Sequence, residues 1–197
     1  WIADTAQPKV PVDVVATGPR AVAMGAVRAE RLSLTVGADP VRLAECIAAA
    51  RAARAGAGLD PAELKIGAYI NCSADPNVSR ARNTIAGSVG GFVHFSGMSG
   101  SRTALPEDQA VFDAVAAKYD MAHHGCIDAG HVGVMNADFV DRFAVAGSSS
   151  YCVDRIGSLL ELGLNHIVFV TGSRDADPEV VAAGNERLAT EVLPQLR

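Results

Sequence analysis

The sequence predicts an α/β protein in which parallel strands alternate with helices. Three observations support this: short continuous apolar runs, helix-start signals soon after most of them, and a hydrophobic content of 49% over 197 residues. Apolar runs without polar alternation are typical of strands that are covered on both faces, as in a parallel sheet under helices. Strands that alternate with helices of this length connect as right-handed βαβ units.

The first part of the chain contains three such units. Strands are predicted at 12–15, 31–36 and 64–72. The helices that follow them are predicted to begin at Pro19, Asp39-Pro40 and Asp75-Pro76, and to end near Arg28, Ala55 and Gly90-Gly91. Proline suits a first helical turn because its missing N–H has no partner there, and an aspartate before it can cap the free amides.

Residues 92–147 depart from this alternation, so we predict an insertion there that forms a lid or one wall of a pocket. Within it, helices are predicted at 107–118 and 137–143, with an irregular, histidine-bearing segment at 119–134 between them. The alternation resumes with a helix at 149–162, a fourth strand at 166–170 and a last helix that Asp177-Pro178 opens.

Composition excludes several classes of protein. The net charge of −5 argues against a general nucleic-acid binder, which needs a basic face, and no apolar run is long enough to span a membrane. Cys46, Cys72, Cys126 and Cys152 have no CxxC spacing, so we expect reduced, mostly buried thiols and a cytoplasmic location. Because the chain starts at Trp1, we expect it to be processed or to be a portion of a longer protein.

The sharpest local signal for a ligand site is Ala16-Thr17-Gly18-Pro19-Arg20, between the first strand and its helix. In parallel α/β folds, ligands bind at the carboxyl ends of strands, and a helix start offers unpaired amides to a phosphate. The segment matches neither GxGxxG nor a Walker loop, and its spacing alone favours a tight strand-to-helix turn without a ligand.

Other polar groups are weaker candidates. Thr171-Gly172-Ser173-Arg174 either binds an anion or is a solvated connection, and Asn71 and Ser73 end the third strand. His123, His124, Cys126 and His131 match no standard zinc spacing, so we predict no metal site and expect pocket-lining or packing roles. His94 is predicted to be a half-buried packing residue. No GxSxG elbow supports a nucleophile.

Residues 10–76 (VPVDVVATGPR through NCSADP) and 143–170 (FAVAGSSSYC through NHIVFV) resemble the luciferase-like monooxygenase superfamily. Within it, they are most similar to the coenzyme F420-dependent oxidoreductases, the branch of methylenetetrahydromethanopterin reductase. The resemblance implies a TIM-type (β/α)8 barrel, of which this chain supplies about the C-terminal four βα units and the helical insertion. Residues 1–197 are then the C-terminal portion of a single barrel domain, and the missing N-terminal half or a second copy is expected as partner, in a homo-oligomer.

The resemblance also implies a cofactor site. In the family, the loop after strand five holds the cofactor's phosphate or ribityl tail, which corresponds here to Ala16, Thr17, Gly18, Pro19 and Arg20. The loop after strand six adds Val36 and Gly37. The expected function is hydride transfer between F420 and a small organic substrate, with catalytic residues in the absent half. The alternatives are an FMN-dependent monooxygenase and a non-catalytic barrel fragment.

Overall fold

The computed structural model of the protein describes residues 10–98 and 105–196, and these contain a five-stranded sheet. Its strands are β1 (Asp13–Ala16), β2 (Arg31–Leu34), β3 (Lys65–Ala74), β4 (Val145–Gly147) and β5 (His166–Val170). The helices are α1 (Pro19–Arg28), α2 (Pro40–Gly56), α3 (Val78–Met98), α4 (Pro106–Lys118), α5 (Ala137–Phe143), α6 (Ser149–Leu160) and α7 (Pro178–Arg187). All strand pairs are parallel, which confirms the predicted α/β class.

The central strand is β3, which contacts three neighbours. Its first residues pair with β2, residues 67–71 pair with β5, and residues 72–74 pair with β4. β1 adds to the other side of β2. The sequence predicted four strands and missed β4, because three residues are too few to show a hydrophobic period.

The sheet has one apolar face and one mixed face, because alternate side chains of a strand point to opposite sides. The apolar face packs against α1, α2 and α6 in the main core, which includes Leu32, Leu34, Ile66, Ala68 and Ile70. The opposite, inner face carries Val15 and Val168, which are 53% and 38% exposed. The apolar strands predicted a sheet that is covered on both faces. Within the described residues, only one face is fully covered.

A row of polar groups crosses the inner face. Ser33 pairs in register with Gly67, which pairs with His166. The Ser33 hydroxyl donates to Asp13 Oδ2 at 2.8 Å and lies 3.1 Å from His166 Nε2. Since Ser33 has one proton and gives it to the carboxylate, His166 Nε2 must be the donor to Ser33 Oγ. Gly67 is required beneath this row because a Cβ there would overlap the His166 ring.

Helices α3, α4 and α5 form a second core with Phe112, Phe139 and Phe143 at its centre. The helices predicted at 107–118 and 137–143 are confirmed by α4 and α5. The predicted end of α3 at Gly90-Gly91 is wrong, since the helix continues to Met98. These glycines are packing positions rather than terminators, because a Cβ on either would press against an imidazole ring.

The start of α3 also differs from the prediction. Asp75 does not cap the helix; its carboxylate accepts the Asn77 amide and two hydrogen bonds from the Arg80 guanidinium, at 2.7 and 2.8 Å. Asn77 accepts from the Arg80 amide, and α3 begins at Val78. The insertion predicted at 92–147 does not coincide with the elements of the structure. Its first residue lies inside α3, and its last three residues form strand β4.

Within residues 10–98 and 105–196, no helix combines the length and apolarity that a membrane crossing requires. The four cysteines are all free thiols, as predicted. Cys72 and Cys152 are buried, and Cys46 and Cys126 are half-buried.

We predict that Gly67→Ala destabilises the fold by about 1–3 kcal/mol, because the added methyl group displaces the His166 ring and breaks its bond to Ser33. Urea unfolding measures this change. In the Gly67→Ala/His166→Ala double variant, the two costs should be less than additive, since the colliding ring is gone. Fully additive costs would contradict the contact.

Candidate functional site

The candidate site lies at the edge of the sheet where the strands end. Since all strands are parallel, the loops that follow β1, β2, β3 and β5 begin at the same edge. We call this edge the carboxyl-end rim and define it by residues 17–18, 35–39, 75–77 and 171–177. In barrels and open sheets of parallel strands, ligands bind at this end.

The first rim loop leads into α1 without a side-chain cap. Side chains cap the other helices that follow a strand: α2 by Asp39, α3 by Asn77, α6 by Ser148 and α7 by Asp177. Gly18 stands at the N-cap of α1 with extended backbone and no side chain to accept from the first-turn amides, and Pro19 follows at N1. The N-terminus of α1 is therefore the rim helix start best suited to an external anion.

The structure brings the first two rim loops together. Thr17 Oγ1 lies 2.6 Å from Thr35 Oγ1, and Thr35 donates to the Ala16 carbonyl through its amide at 2.9 Å and its hydroxyl at 3.3 Å. Ala16 itself is buried, whereas Arg20 is exposed beside the helix start. These contacts fix the backbone that precedes α1.

Val36 and Gly37 have clear packing roles. Val36 is fully buried in the main core. Gly37 has φ = +84°, a conformation that favours glycine, and the Phe143 ring lies 2.8 Å from where its Cβ would be. The Ala38 amide also donates to the Phe143 carbonyl at 2.7 Å. Packing therefore accounts for both residues, and their role in cofactor binding stays a prediction.

Asn71 presents an unpaired acceptor near the end of β3. Its Nδ2 donates to Ser88 Oγ at 2.9 Å, and Ser88 gives its own proton to the Ile85 carbonyl. This arrangement fixes the orientation of the amide, so Asn71 Oδ1 is the atom left without a partner in a fully buried side chain. Ser73, the other polar residue predicted at this strand end, is also buried.

The loop after β5 holds the helical group in place. The Ser173 amide donates to Thr84 O at 2.8 Å, and Ser173 Oγ accepts from the Gly87 amide at 2.9 Å. Arg174 donates to the carbonyls of Gly125 and His124, at 2.8 and 3.1 Å. These internal bonds attach the loop after β5 to α3 and to the histidine-bearing segment, and the role of the loop in anion binding stays a prediction.

The predicted histidine group assembles around Tyr119. Its ring lies 3.6 Å from that of His94, nearly parallel, and 4.3 Å from that of His131. Its hydroxyl is hydrogen-bonded to His124 Nδ1. His131 is fully buried with neither ring nitrogen bonded, and burial lowers the pKa of both His131 and His94. These contacts match the predicted packing roles.

His123 stands apart from this cluster. It is exposed and contacts Asp120 at 2.6 Å, and this partner raises the pKa of His123. Among the described residues, the His123 ring makes no contact with another aromatic or imidazole ring.

One group of potential metal ligands occurs within the described residues. Cys126, Asp128 and Asp175 bring their ligand atoms within 4.8 Å of one another. Asp175 already accepts the amides of Ile127 and Asp128, at 2.7 and 3.3 Å, so its carboxylate stabilises the local turn. Both carboxylates are exposed, and we assign no metal to this group.

We predict that the protein loses stability as the pH falls below about 6.5, the usual pKa of histidine, because folded His131 and His94 resist protonation. A histidine whose pKa is lower in the folded than in the unfolded state contributes to the free energy of unfolding. This contribution is complete above the unfolded pKa and is lost as the pH falls through the folded pKa. His131→Leu should flatten the dependence of the unfolding midpoint on pH below about pH 6.5.

His123→Asn is the matched control. Because the pKa of His123 is raised, its contribution has the opposite sign and is lost as the pH rises, so this variant should keep the acid loss. An unchanged acid slope in His131→Leu would contradict the assignment.

Comparison with known proteins identifies the family of this chain. A sequence profile described as luciferase-like monooxygenase matches residues 2–166. No curated protein sequence matches the chain. Among solved structures, it resembles the coenzyme F420-dependent tetrahydromethanopterin reductase of Methanopyrus kandleri, with 19% identity and a TM-score of 0.69, over 95% of this chain and 51% of that one.

Two further structures share the fold. An F420-dependent secondary alcohol dehydrogenase, solved with an F420-acetone adduct, gives 16% identity and a TM-score of 0.61 over 96% of this chain and 50% of its own. A riboflavin lyase, solved with modified FMN and riboflavin, gives 22% identity and a TM-score of 0.53, over 94% of this chain and 42% of its own.

The chain thus spans about half the length of these structures or less. The likeness confirms the predicted α/β fold of TIM-barrel type. Because the profile covers well over half of the residues, the chain belongs to the luciferase-like monooxygenase family.

Proposed function

We propose that this chain binds the anionic part of coenzyme F420 in an oxidoreductase that transfers a hydride between reduced F420 and a small organic substrate. The observation that carries the proposal is the uncapped N-terminus of α1 at the carboxyl-end rim. Family membership supports an oxidoreductase or monooxygenase. Two of the structures that share the fold are described as F420-dependent, which favours this cofactor.

The residues of the first rim loop supply the binding chemistry. The first-turn amides of α1 and the positive end of its dipole attract a phosphate, and Arg20 adds an exposed positive charge nearby. The Thr17–Thr35 hydrogen bond holds the loop in position before the ligand arrives. Ala16, Thr17, Gly18, Pro19 and Arg20 therefore form the proposed phosphate site.

Other residues extend the proposed site along the rim. Val36 and Gly37 shape the neighbouring loop, and Asn71 Oδ1 offers an acceptor to an N–H or O–H donor at the inner end of β3. The cofactor would bring the hydride chemistry, while the protein binds it, orients it and excludes water. We assign no catalytic residue within this chain.

FMN is the alternative cofactor, and the riboflavin lyase structure with modified FMN favours it. Both cofactors carry a phosphate that suits the start of α1, so the binding loop does not separate them. Titration of the intact protein with F420 and with FMN distinguishes the two cofactors. We expect saturable F420 binding and little FMN binding. Tight FMN binding alone would make a flavin-dependent monooxygenase the better assignment, and binding of neither would favour a non-catalytic barrel fragment.

We predict that Gly18→Val weakens cofactor binding at least about tenfold, because its side chain intrudes where the amides meet the phosphate. Gly18 has φ = −93° and ψ = 158°, which valine adopts readily, so the fold should persist. Cys46→Ala on α2 is the control, because it alters only packing. Unchanged affinity in Gly18→Val would refute the phosphate site.

We also propose that a complementary half-barrel covers the inner face, supplied by an N-terminal half or by a second copy of this chain. Within the described residues, β1 pairs only with β2 and β5 only with β3, which leaves one edge of each strand open. Open parallel edges and the exposed Val15 and Val168 are suited to pairing with further strands.

The isolated 197-residue chain should therefore associate or lack a cooperative melt. Size-exclusion chromatography with thermal unfolding measures both properties. A monomer that melts cooperatively would contradict the need for a complementary half.

A further inference from the structure

Arg42 is a buried cation whose terminal nitrogens have no hydrogen-bonding partner among residues 10–98 and 105–196. It lies in the first turn of α2 and is 5% exposed, and the unpartnered atoms are Nη1 and Nη2. Burial lowers the pKa of Arg42, which reflects the loss of hydration around its charge. Buried charges are normally paired because desolvating a lone charge is very unfavourable. The orphaned guanidinium therefore points to a missing anion.

Two aromatic rings hold the guanidinium in place. Its central carbon lies 5.2 Å from the centre of the Phe112 ring on α4 and 6.0 Å from that of Phe143 at the end of α5. Cation–π attraction stabilises the charge, but a ring offers no oxygen to the N–H groups. The rings thus position Arg42 between α2, α4 and α5 and leave its terminal donors unsatisfied.

Asp39 and Glu45 lie near enough to act on the charge of Arg42, but neither carboxylate is hydrogen-bonded to its terminal nitrogens within the described residues. Asp39 accepts the amides of Val41 and Arg42 as the cap of α2. Asp108, one turn before Phe112 on α4, pairs with Arg142. Glu45 is on the solvent-exposed side of α2. Within the described parts of the chain, no acidic side chain is bonded to the terminal nitrogens of Arg42.

We propose that Arg42 anchors an anion-binding site between α2, α4 and α5, which takes a small oxyanion such as a carboxylate or a phosphate group. A guanidinium binds two oxygens of such a group side by side, so one ligand satisfies both Nη1 and Nη2. The site is anchored on α2, whereas the phosphate site proposed above is anchored on α1.

Anion binding should hold the two cores together. The guanidinium extends from α2 to the Phe112 ring of α4, so an anion bound to it bridges these two helices. A ligand that binds only the folded state raises the unfolding temperature. Thermal unfolding is therefore a direct readout that needs neither cofactor nor substrate.

The test is the unfolding temperature of the intact protein in increasing sodium phosphate, and separately in sodium acetate, at constant ionic strength. We expect a rise of about 2–4 °C with at least one anion, and the larger rise identifies the preferred oxyanion. Arg42→Met keeps the length and the ring contacts but removes the charge, and it should lose the part of the rise that Arg42 supplies. Any rise that remains in this variant reports anion binding at the start of α1. Arg42→Lys keeps the charge without the planar fork and should show a smaller rise.

Arg28→Met is the matched control, because Arg28 is an exposed arginine in the last turn of α1 and its loss should leave the anion effect unchanged. Absence of a rise in the wild-type protein with both anions would overturn the proposal. An equal rise in Arg42→Met, or in Arg42→Lys if the methionine variant does not fold, would also overturn it. Failure of F420 binding would leave these outcomes unaffected.

Discussion

The parallel pairing of β3 with its three neighbours is the constraint on which the rest of the structure depends. Ten residues of one strand set the register of β2, β5 and β4, so every strand points in the same direction. That common direction gathers the loops after the strands at one edge. The candidate site exists because two of those loops, through Thr17 and Thr35, meet there.

The second organising feature is the attachment of the helical group to the sheet. Phe143 fits against Gly37, and the Arg155 guanidinium donates to the Ala38 and Arg142 carbonyls, at 2.8 and 3.2 Å. Arg42 then stacks on the rings of the second core. The two apolar cores are thus joined where Gly37 leaves room for Phe143 and where Arg155 and Arg42 extend from one core to the other. The proposed anion site lies at this boundary because Arg42 places a positive charge there.

The helix starts around the rim differ in a way that bears on function. A side chain of the protein caps α2, α6 and α7, and each cap occupies amides that an anion would need. At α1 the corresponding position is Gly18, which has no side chain to occupy these amides. Selective capping thus separates one candidate binding position from several that look alike in sequence. Ser173 and Arg174 are less suited to this role, because Ser173 Oγ accepts from the Gly87 amide of α3 and Arg174 Nη1 donates to the His124 carbonyl.

The sequence by itself determined the α/β class, the helix starts at Pro19, Pro40 and Pro178, and the segment that leads into α1. These features are local, because a proline, a cap or a short apolar run acts on its own few residues. The family resemblance, also visible in sequence, was confirmed. It supplied the barrel and the expected cofactor, which local patterns do not encode.

Only the tertiary structure decided the features that depend on distant residues. Gly90-Gly91 reads as a helix end, yet packing against His131 and His124 keeps it inside α3. Strand β4 forms because β3 is there to pair with it. Arg42 gives no sequence signal at all, since its isolation comes from helices more than 60 residues away closing over its charge. Contacts between residues far apart in the chain set these outcomes, and no local pattern records them.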